Sequence, residues 1–115
     1  MAISEAYSGT ETVSTTEWSL TSDSSTLGAI TTDGVFQAFL ELNNLAAGDV
    51  FEFKVYEKTL STSTQRLVYS ARFAGAQGAP VWASPSLILL HGWEMTLDKI
   101  SGTDRAISWS IRTLT

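Results

Sequence analysis

Two alternating runs near the C-terminus, separated by a turn, constrain the fold of this chain most. Apolar and polar residues alternate from Trp93 to Asp98, and again from Ile107 to Arg112. A period of two is typical of strands that bury one face. Between the runs, Gly102 tolerates a positive φ, which favours a turn. The sequence therefore predicts two half-buried strands in this region.

A turn centred near Thr103 would make these two strands a β-hairpin. Residues whose numbers sum to about 206 would then face each other. Leu97 would lie opposite Trp109, and Met95 would lie opposite Ile111. Because the apolar faces of both strands would coincide, the pattern favours this pairing.

Strand patterns continue upstream. Three stretches alternate well and predict strands: Val35–Leu42, Val50–Lys58 and Arg66–Phe73. Glu11–Leu20 alternates loosely and predicts one strand, while Ala29–Thr32 and Val81–Ala83 are short candidates. Leu87–Leu90 is continuously apolar, which is consistent with a central strand buried on both faces. Pro85, just before it, favours a sheet edge or a bulge.

The count of seven or eight strands predicts an all-β fold, an antiparallel β-sandwich. The absence of a Cys…Trp…Cys arrangement favours a jelly roll over an immunoglobulin-like sandwich. At 115 residues, the chain is expected to form one domain spanning residues 1–115. Residues 1–10 are either an ordered strand or a flexible, partner-binding arm, and the sequence leaves both open.

The charge distribution argues against nucleic acid as a partner. Residues 1–50 carry seven acidic and no basic residues, whereas residues 51–115 carry seven basic and five acidic ones, giving −7 + 2 = −5. The pI is about 4.6 and no basic footprint is clustered. The acidic half could dock on a basic protein surface or simply maintain solubility.

Neither membrane insertion nor secretion is expected. No apolar run approaches the roughly 18 residues of a membrane span, and the first residues lack a basic and apolar leader. The sequence therefore predicts a soluble protein that is made in the cytoplasm.

The inventory of chemically active residues does not favour an enzyme. The chain has no cysteine and one histidine, His91, so it cannot assemble a His-rich zinc site, and no cofactor is expected. A calcium site at Asp98 and Asp104 lacks the acidic spacing of a calcium loop. Two pairs of carboxylates could suggest a glycosidase, Glu52 with Glu57 and Glu94 with Asp98. Their alternation with apolar residues instead predicts solvent-facing charges. We expect no catalytic residue.

The four tryptophans divide into two pairs. Trp93 and Trp109 alternate in phase with other apolar residues, which predicts core positions. Trp18 and Trp82 lie in less regular contexts, where an exposed aromatic could contact a protein or a sugar. His91 is more consistent with a backbone-bonded strand end or an interface contact than with a catalytic base. Trp18, Trp82 and His91 are therefore the candidate interface residues.

Three stretches carry a resemblance to a known group of proteins: Phe51–Lys58, Thr64–Phe73 and Leu87–Arg112. They resemble small structural proteins of tailed bacteriophages, most of all the capsid decoration or cement proteins of short-tailed phages, such as the Bordetella phage cement protein. The resemblance covers most of the chain from Asp33 onward. It implies a jelly roll on the outside of an icosahedral shell, and it carries over no site residues.

The resemblance also implies partners and a location. The expected function is that of a virion structural protein, a cement protein that binds the major capsid protein on the capsid exterior. Self-association as a dimer or trimer is expected of a molecule that bridges capsomers. A tail, fibre or neck component and a carbohydrate-binding β-sandwich module remain the alternatives.

Overall fold

The computed structural model describes residues 2–114, which form nine β-strands in two antiparallel sheets packed face to face. Sheet A has the order β1-β9-β3-β6, with β7 also paired to β3, and sheet B has the order β2-β8-β4-β5. The strands are β1 (Ile3–Val13), β2 (Trp18–Ser19), β3 (Gly34–Glu41), β4 (Val50–Glu57), β5 (Arg66–Ala74), β6 (Val81–Ala83), β7 (Leu87–Leu89), β8 (Glu94–Ser101) and β9 (Arg105–Leu114). The predicted all-β sandwich is confirmed.

The winding of the strands is that of a jelly roll. β6 and β7 pair with opposite ends of β3, so together they act as one strand interrupted by residues 84–86. Counted in this way, the nine strands become eight. The first then pairs with the last, the second with the seventh, the third with the sixth and the fourth with the fifth. Strands paired in this nested order form an antiparallel double ribbon. In a jelly roll this ribbon is wound so that it forms two sheets that pack face to face.

The predicted hairpin of the last two strands is wrong. β8 lies in sheet B and β9 lies in sheet A, so they meet across the core and are not neighbours in a sheet. Leu97 lies opposite Phe53 of β4, and Trp109 lies opposite Leu40 of β3. A period of two determines which face of a strand is buried, but several partner strands can satisfy it. The faces were therefore predicted correctly and the partners were not.

β7 is an edge strand, which corrects the prediction for Leu87–Leu90. Only β3 lies beside β7 among the described strands, so one edge of β7 has no partner strand. Leu89 points into the core, whereas Ile88 is 85% exposed. Pro85 lies where the predicted edge or bulge occurs, between β6 and β7.

The N-terminal third also departs from the predicted strands. Glu11–Leu20 is divided between the end of β1 and the short β2, because the chain passes from sheet A to sheet B at residues 14–17. In Ala29–Thr32 only Ile30 forms a bridge, with Trp93. Residues 3–10 lie in β1, which pairs with β9 and has a register shift between Glu5 and Tyr7. Met1 lies outside the described residues.

The core lies between the sheets and contains both tryptophans that were predicted to be buried. Trp93 is fully buried, and its indole N–H donates to the carbonyl of Thr32 at 2.9 Å. Trp109 donates in the same way to the carbonyl of Leu20 at 2.9 Å. Each ring therefore buries a large apolar surface without leaving its N–H unpaired. A Cβ at Gly9 would lie 2.6 Å from the Trp109 ring, so β1 approaches this ring closely because residue 9 is glycine.

Asp49 joins the loop before β4 to the turn between β8 and β9. Its buried carboxylate accepts hydrogen bonds from the backbone N–H groups of Thr103 and Ala46, both at 2.9 Å. Nε of Arg105 donates to the same carboxylate at 2.7 Å. The two backbone donors, followed by Arg105, lower the pKa of Asp49 from 3.8 to about 2. This carboxylate holds the β8–β9 connection against sheet B.

The lowered pKa of Asp49 predicts a defined pH dependence of stability. A group whose pKa is lower in the folded state stabilises the fold above its unfolded pKa, here 3.8. That stabilisation is lost as pH falls through about 2. We expect the variant Asp49→Asn to be less stable than the natural protein at neutral pH, with the difference shrinking between pH 3.8 and about 2. Urea unfolding across this pH range measures the difference in the free energy of unfolding between the two proteins. A difference that does not change with pH would contradict the role of the carboxylate.

Candidate interaction surface on sheet A

The outer face of sheet A carries a row of apolar side chains across four strands. Ile3 of β1 lies opposite Leu114 of β9, and Ile88 of β7 lies opposite Val35 of β3. Phe36 of β3 pairs with Thr113 of β9, and the next residues along, Val35 and Leu114, line the same depression. The four residues therefore form one continuous line, here called the apolar row. Ile3 is 72% exposed and Ile88 is 85% exposed. An aligned set of exposed aliphatic residues is typical of an interaction site, unlike single scattered ones.

Phe39 and Arg112 lie next to the apolar row on the same outer face. The Arg112 guanidinium stacks over the Phe39 ring, with its central carbon 3.9 Å from the ring centroid. Nε of Arg112 also donates to Oγ of Ser110 at 3.3 Å. A cation stacked on an aromatic face is attracted by the ring quadrupole, and the ring limits its motion. The face therefore presents one positioned positive charge beside an apolar surface.

Two depressions flank the Phe39–Arg112 pair. The first has a volume of about 200 Å³ and includes Ile3, Val35 and Leu114 of the apolar row together with Ser86. The second, about 330 Å³, lies toward Val81 and the serines of β9. Both are lined by Phe39 and Arg112.

The interruption between β6 and β7 accounts for the position of the first depression. Here Ser84 bonds the Ala38 N–H through its Oγ at 2.9 Å, and its own N–H donates to the Ala38 carbonyl at 2.8 Å. Residues 84–86 are therefore held against β3 without forming a regular strand, and Ser86 lines the depression. The predicted effect of Pro85 on the strand thus shapes the candidate surface.

The outer face of sheet B has a different character. Lys54 lies among three carboxylates, with its ammonium 3.9 Å from Glu17, 3.5 Å from Glu52 and 3.7 Å from Asp98. The hydroxyl of Tyr56 donates to Glu17 at 2.6 Å. This hydrogen-bonded and charged network faces away from the core. The two outer faces of the sandwich therefore offer a partner opposite kinds of surface.

Burial shifts two pKa values in the sheet B network. Burial raises the pKa of Asp98, while the charge of Lys54 opposes that rise. Burial, followed by the hydrogen bond to Glu17, raises the pKa of the Tyr56 hydroxyl well above its usual range. Within residues 2–114, no group of three His, Cys, Asp or Glu side chains could hold a metal ion. Over the same residues, no helix is long and apolar enough to cross a membrane.

The structure does not bring the three candidate interface residues together. Trp18 lies at the β2 edge of sheet B, opposite Leu97, with its indole N–H donating to Asp23 at 3.1 Å. Trp82 lies at the β6 edge of sheet A and packs on Phe53 and Phe73 of sheet B. Both tryptophans are half-buried. Because both pair with inward-facing residues, neither forms the row of aromatic rings on an outer face that a sugar-binding sandwich displays.

His91 lies in the turn between β7 and β8. Its backbone N–H points at the carboxylate of Glu57, 3.4 Å away, and the same carboxylate accepts from Leu90 at 2.6 Å and from Gly92 at 2.9 Å. Burial acts to raise the pKa of Glu57, but four backbone N–H groups outweigh it and lower the pKa. Glu57 therefore orders the turn that carries His91.

The residues of the apolar row and the Phe39–Arg112 pair were not among the predicted interface residues. One signal was present in the sequence: β3 has Val35 and Phe39 at positions where alternation requires polar residues. The remaining members become neighbours through the pairing of β1 with β9 and of β3 with β7. Such pairings over long sequence separations leave no local pattern.

No known family model matches the chain, and no curated protein sequence is similar to it. Among solved structures, it is similar to a xylan-binding domain from CBM 22, at 13% identity and TM-score 0.41, covering 73% of this chain and 56% of that one. It is also similar to a pentameric capsid protein from metagenomic phage sequences (13%, TM-score 0.42, 93% and 67% covered). A third is the Yersinia pseudotuberculosis-derived mitogen (11%, TM-score 0.41, 99% and 86% covered). The chain thus spans little more than half the length of the xylan-binding domain.

Proposed function

We propose that this protein is a structural component of a phage particle, a capsid cement protein that docks on the major capsid protein. The observation that carries the proposal is the apolar row on the outer face of sheet A. Further support comes from the resemblance of Phe51–Lys58, Thr64–Phe73 and Leu87–Arg112 to phage cement proteins and from the jelly-roll winding. In this proposal the protein lies on the capsid exterior and bridges neighbouring subunits.

A cement protein needs a rigid scaffold and a docking face in order to stabilise a shell. A molecule that binds the assembled shell but not free subunits stabilises the shell by mass action. Burying an exposed isoleucine side chain contributes roughly 1.5–3 kcal/mol to binding. The apolar row supplies two such isoleucines, Ile3 and Ile88, together with the less exposed Leu114 and the half-buried Val35. Neighbouring residues of the sheet hold these side chains in place. Repetition over many shell positions multiplies a modest gain for each molecule.

The variant Ile88→Glu tests the docking face. Because Ile88 is 85% exposed, the substitution is expected to leave the melting temperature unchanged. Placing a charge in a buried interface is expected to weaken binding to capsid shells by about 100-fold. The matched control is Val68→Glu, an exposed aliphatic residue of β5 in sheet B, and it should bind as the natural protein does.

Co-sedimentation with shells that lack the protein measures this binding. Saturation at a fixed ratio to the major capsid protein, lost in Ile88→Glu and retained in Val68→Glu, supports the proposal. Equal binding by both variants would overturn the docking face. A protein found only in the tail fraction of purified particles would overturn the cement role in favour of a tail, fibre or neck component.

A further inference from the structure

We propose that the first depression, which Phe39 and Arg112 line together with residues of the apolar row, binds a partner segment in which an apolar side chain stands next to a carboxylate. This inference rests on the proposed function, because it names the chemistry that the docking face recognises. The apolar row explains attraction to a protein surface in general. The depression adds a feature by which one segment can be distinguished from another.

The shape and lining of the depression fit an apolar side chain. Its volume of about 200 Å³ exceeds that of a single aliphatic side chain, and its walls include Ile3, Val35 and Leu114. The ring of Phe39 forms another part of the wall. An apolar group that enters this space leaves water and contacts apolar atoms on several sides.

The charge of the depression is the second observation. Arg112 is the charged residue among those that line it. Within residues 2–114, no carboxylate forms an ion pair with Arg112. Glu5 lies opposite Arg112 in the β1–β9 pair, but its carboxylate accepts a hydrogen bond from the Ser110 hydroxyl. This hydrogen bond is the main reason that the pKa of Glu5 is lowered, and the charge of Arg112 contributes less. An acidic partner therefore meets a positive charge that forms no ion pair with any carboxylate of residues 2–114.

The stacking on Phe39 prepares Arg112 for this role. The guanidinium carbon lies 3.9 Å from the ring centroid. A guanidinium held over a ring in this way can still donate to a carboxylate through the N–H groups at its edge. Among the hydrogen bonds within residues 2–114, the Arg112 side chain donates through Nε alone, to Ser110. A bidentate pair between guanidinium and carboxylate is directional, and a side chain already held in place loses less entropy on binding.

Two small probes separate the charge from the apolar contact. N-acetyl-leucine carries an apolar side chain beside a carboxylate, and N-acetyl-leucinamide is its neutral counterpart. In two-dimensional amide NMR titrations, N-acetyl-leucine is expected to shift resonances of residues 35–39 and 112–114. The neutral probe should bind about tenfold more weakly, as expected for the loss of a charge-assisted hydrogen bond.

The variant Arg112→Gln is expected to abolish the difference between the two probes. Arg66→Gln removes an exposed charge from β5 of sheet B and should preserve that difference. Equal binding of both probes by the natural protein, or shifts centred on another surface, would overturn the inference. Self-association that Arg112→Gln disrupts, without any probe binding, would also overturn it and would identify a second copy as the occupant.

The two proposals can fail separately. If Ile88→Glu abolishes shell binding while the probes do not distinguish Arg112→Gln from the natural protein, only the recognition of a carboxylate is wrong. If the probes bind as expected but the protein does not bind shells, the cement role is wrong and the depression serves another partner.

Discussion

Replacing Glu94 with alanine is expected to lower the free energy of unfolding by about 3 kcal/mol. Glu94 is 1% exposed, and its carboxylate is the common acceptor for four donors. These are Ser19 Oγ at 2.9 Å, Thr21 Oγ1 at 2.7 Å, Gly28 N–H at 3.1 Å and Met95 N–H at 2.9 Å. The alanine variant removes the acceptor that these four groups share. It leaves the two hydroxyls with their hydrogen bond to each other at 3.2 Å, and it releases the connection between β2 and β3 from sheet B.

Urea unfolding of three variants measures this effect. Glu94→Gln keeps one acceptor oxygen and should be destabilised by less than Glu94→Ala. Glu41→Ala removes an exposed glutamate of β3 and should change the free energy of unfolding by less than about 0.5 kcal/mol. Equal stability of Glu94→Ala and Glu41→Ala would contradict the role of this carboxylate.

Gly102→Ala is expected to have a comparably large effect, again about 3 kcal/mol. Gly102 has a φ of +93°, a conformation that side chains with a Cβ rarely adopt. A Cβ here would also lie 2.6 Å from Cα of Asp49 and 2.8 Å from the carbonyl oxygen of Gly48. Because these are backbone atoms, the strain cannot be relieved by rotating a side chain. The Asp49 contacts to the β8–β9 connection should be lost together with the turn.

Gly78→Ala is the matched control for this substitution. A Cβ at Gly78 would have no atom within 4 Å, and the residue lies in the loop before β6. Its replacement should leave the melting temperature nearly unchanged. If the Gly102→Ala and Gly78→Ala proteins have the same melting temperature, the turn tolerates a side chain and the prediction is wrong.

Local alternation in the sequence predicted the faces of the long strands well. In β4, Phe51, Phe53 and Val55 are fully buried, as their spacing indicates. Trp93 and Trp109 lie in the core for the same reason. A strand's inward face follows from its own residues, because every second side chain must leave water. Short stretches of sequence are therefore enough to predict this part of the fold.

The partners of the strands were not predictable from those stretches. The turn near Thr103 suggested a hairpin, yet a turn of this kind can also carry the chain from one sheet to the other. In the structure the Thr103 N–H of this turn donates to Asp49, which lies more than fifty residues upstream. Long-range pairing of this kind is general in a jelly roll, where the first strand meets the last.

The same limit explains the errors at individual residues. Glu94 occupies an outward position in β8, so alternation predicted a solvent-facing charge. The chain around residues 19–28 covers that position and buries it. Ile88 was predicted to be buried because its neighbours are apolar, but its side chain lies on the outer face of sheet A, where it is 85% exposed. Whether a second layer covers an outward position depends on the rest of the chain.

Cryo-electron microscopy of the virus particle is the decisive experiment for the cement role, because it locates the protein and shows which face meets the shell. Sandwich-shaped density is expected at regular positions on the capsid exterior, with Ile3, Ile88 and Leu114 of sheet A against the major capsid protein. Density that contacts the shell through the Lys54 network of sheet B, or an exterior surface without such density, would contradict it.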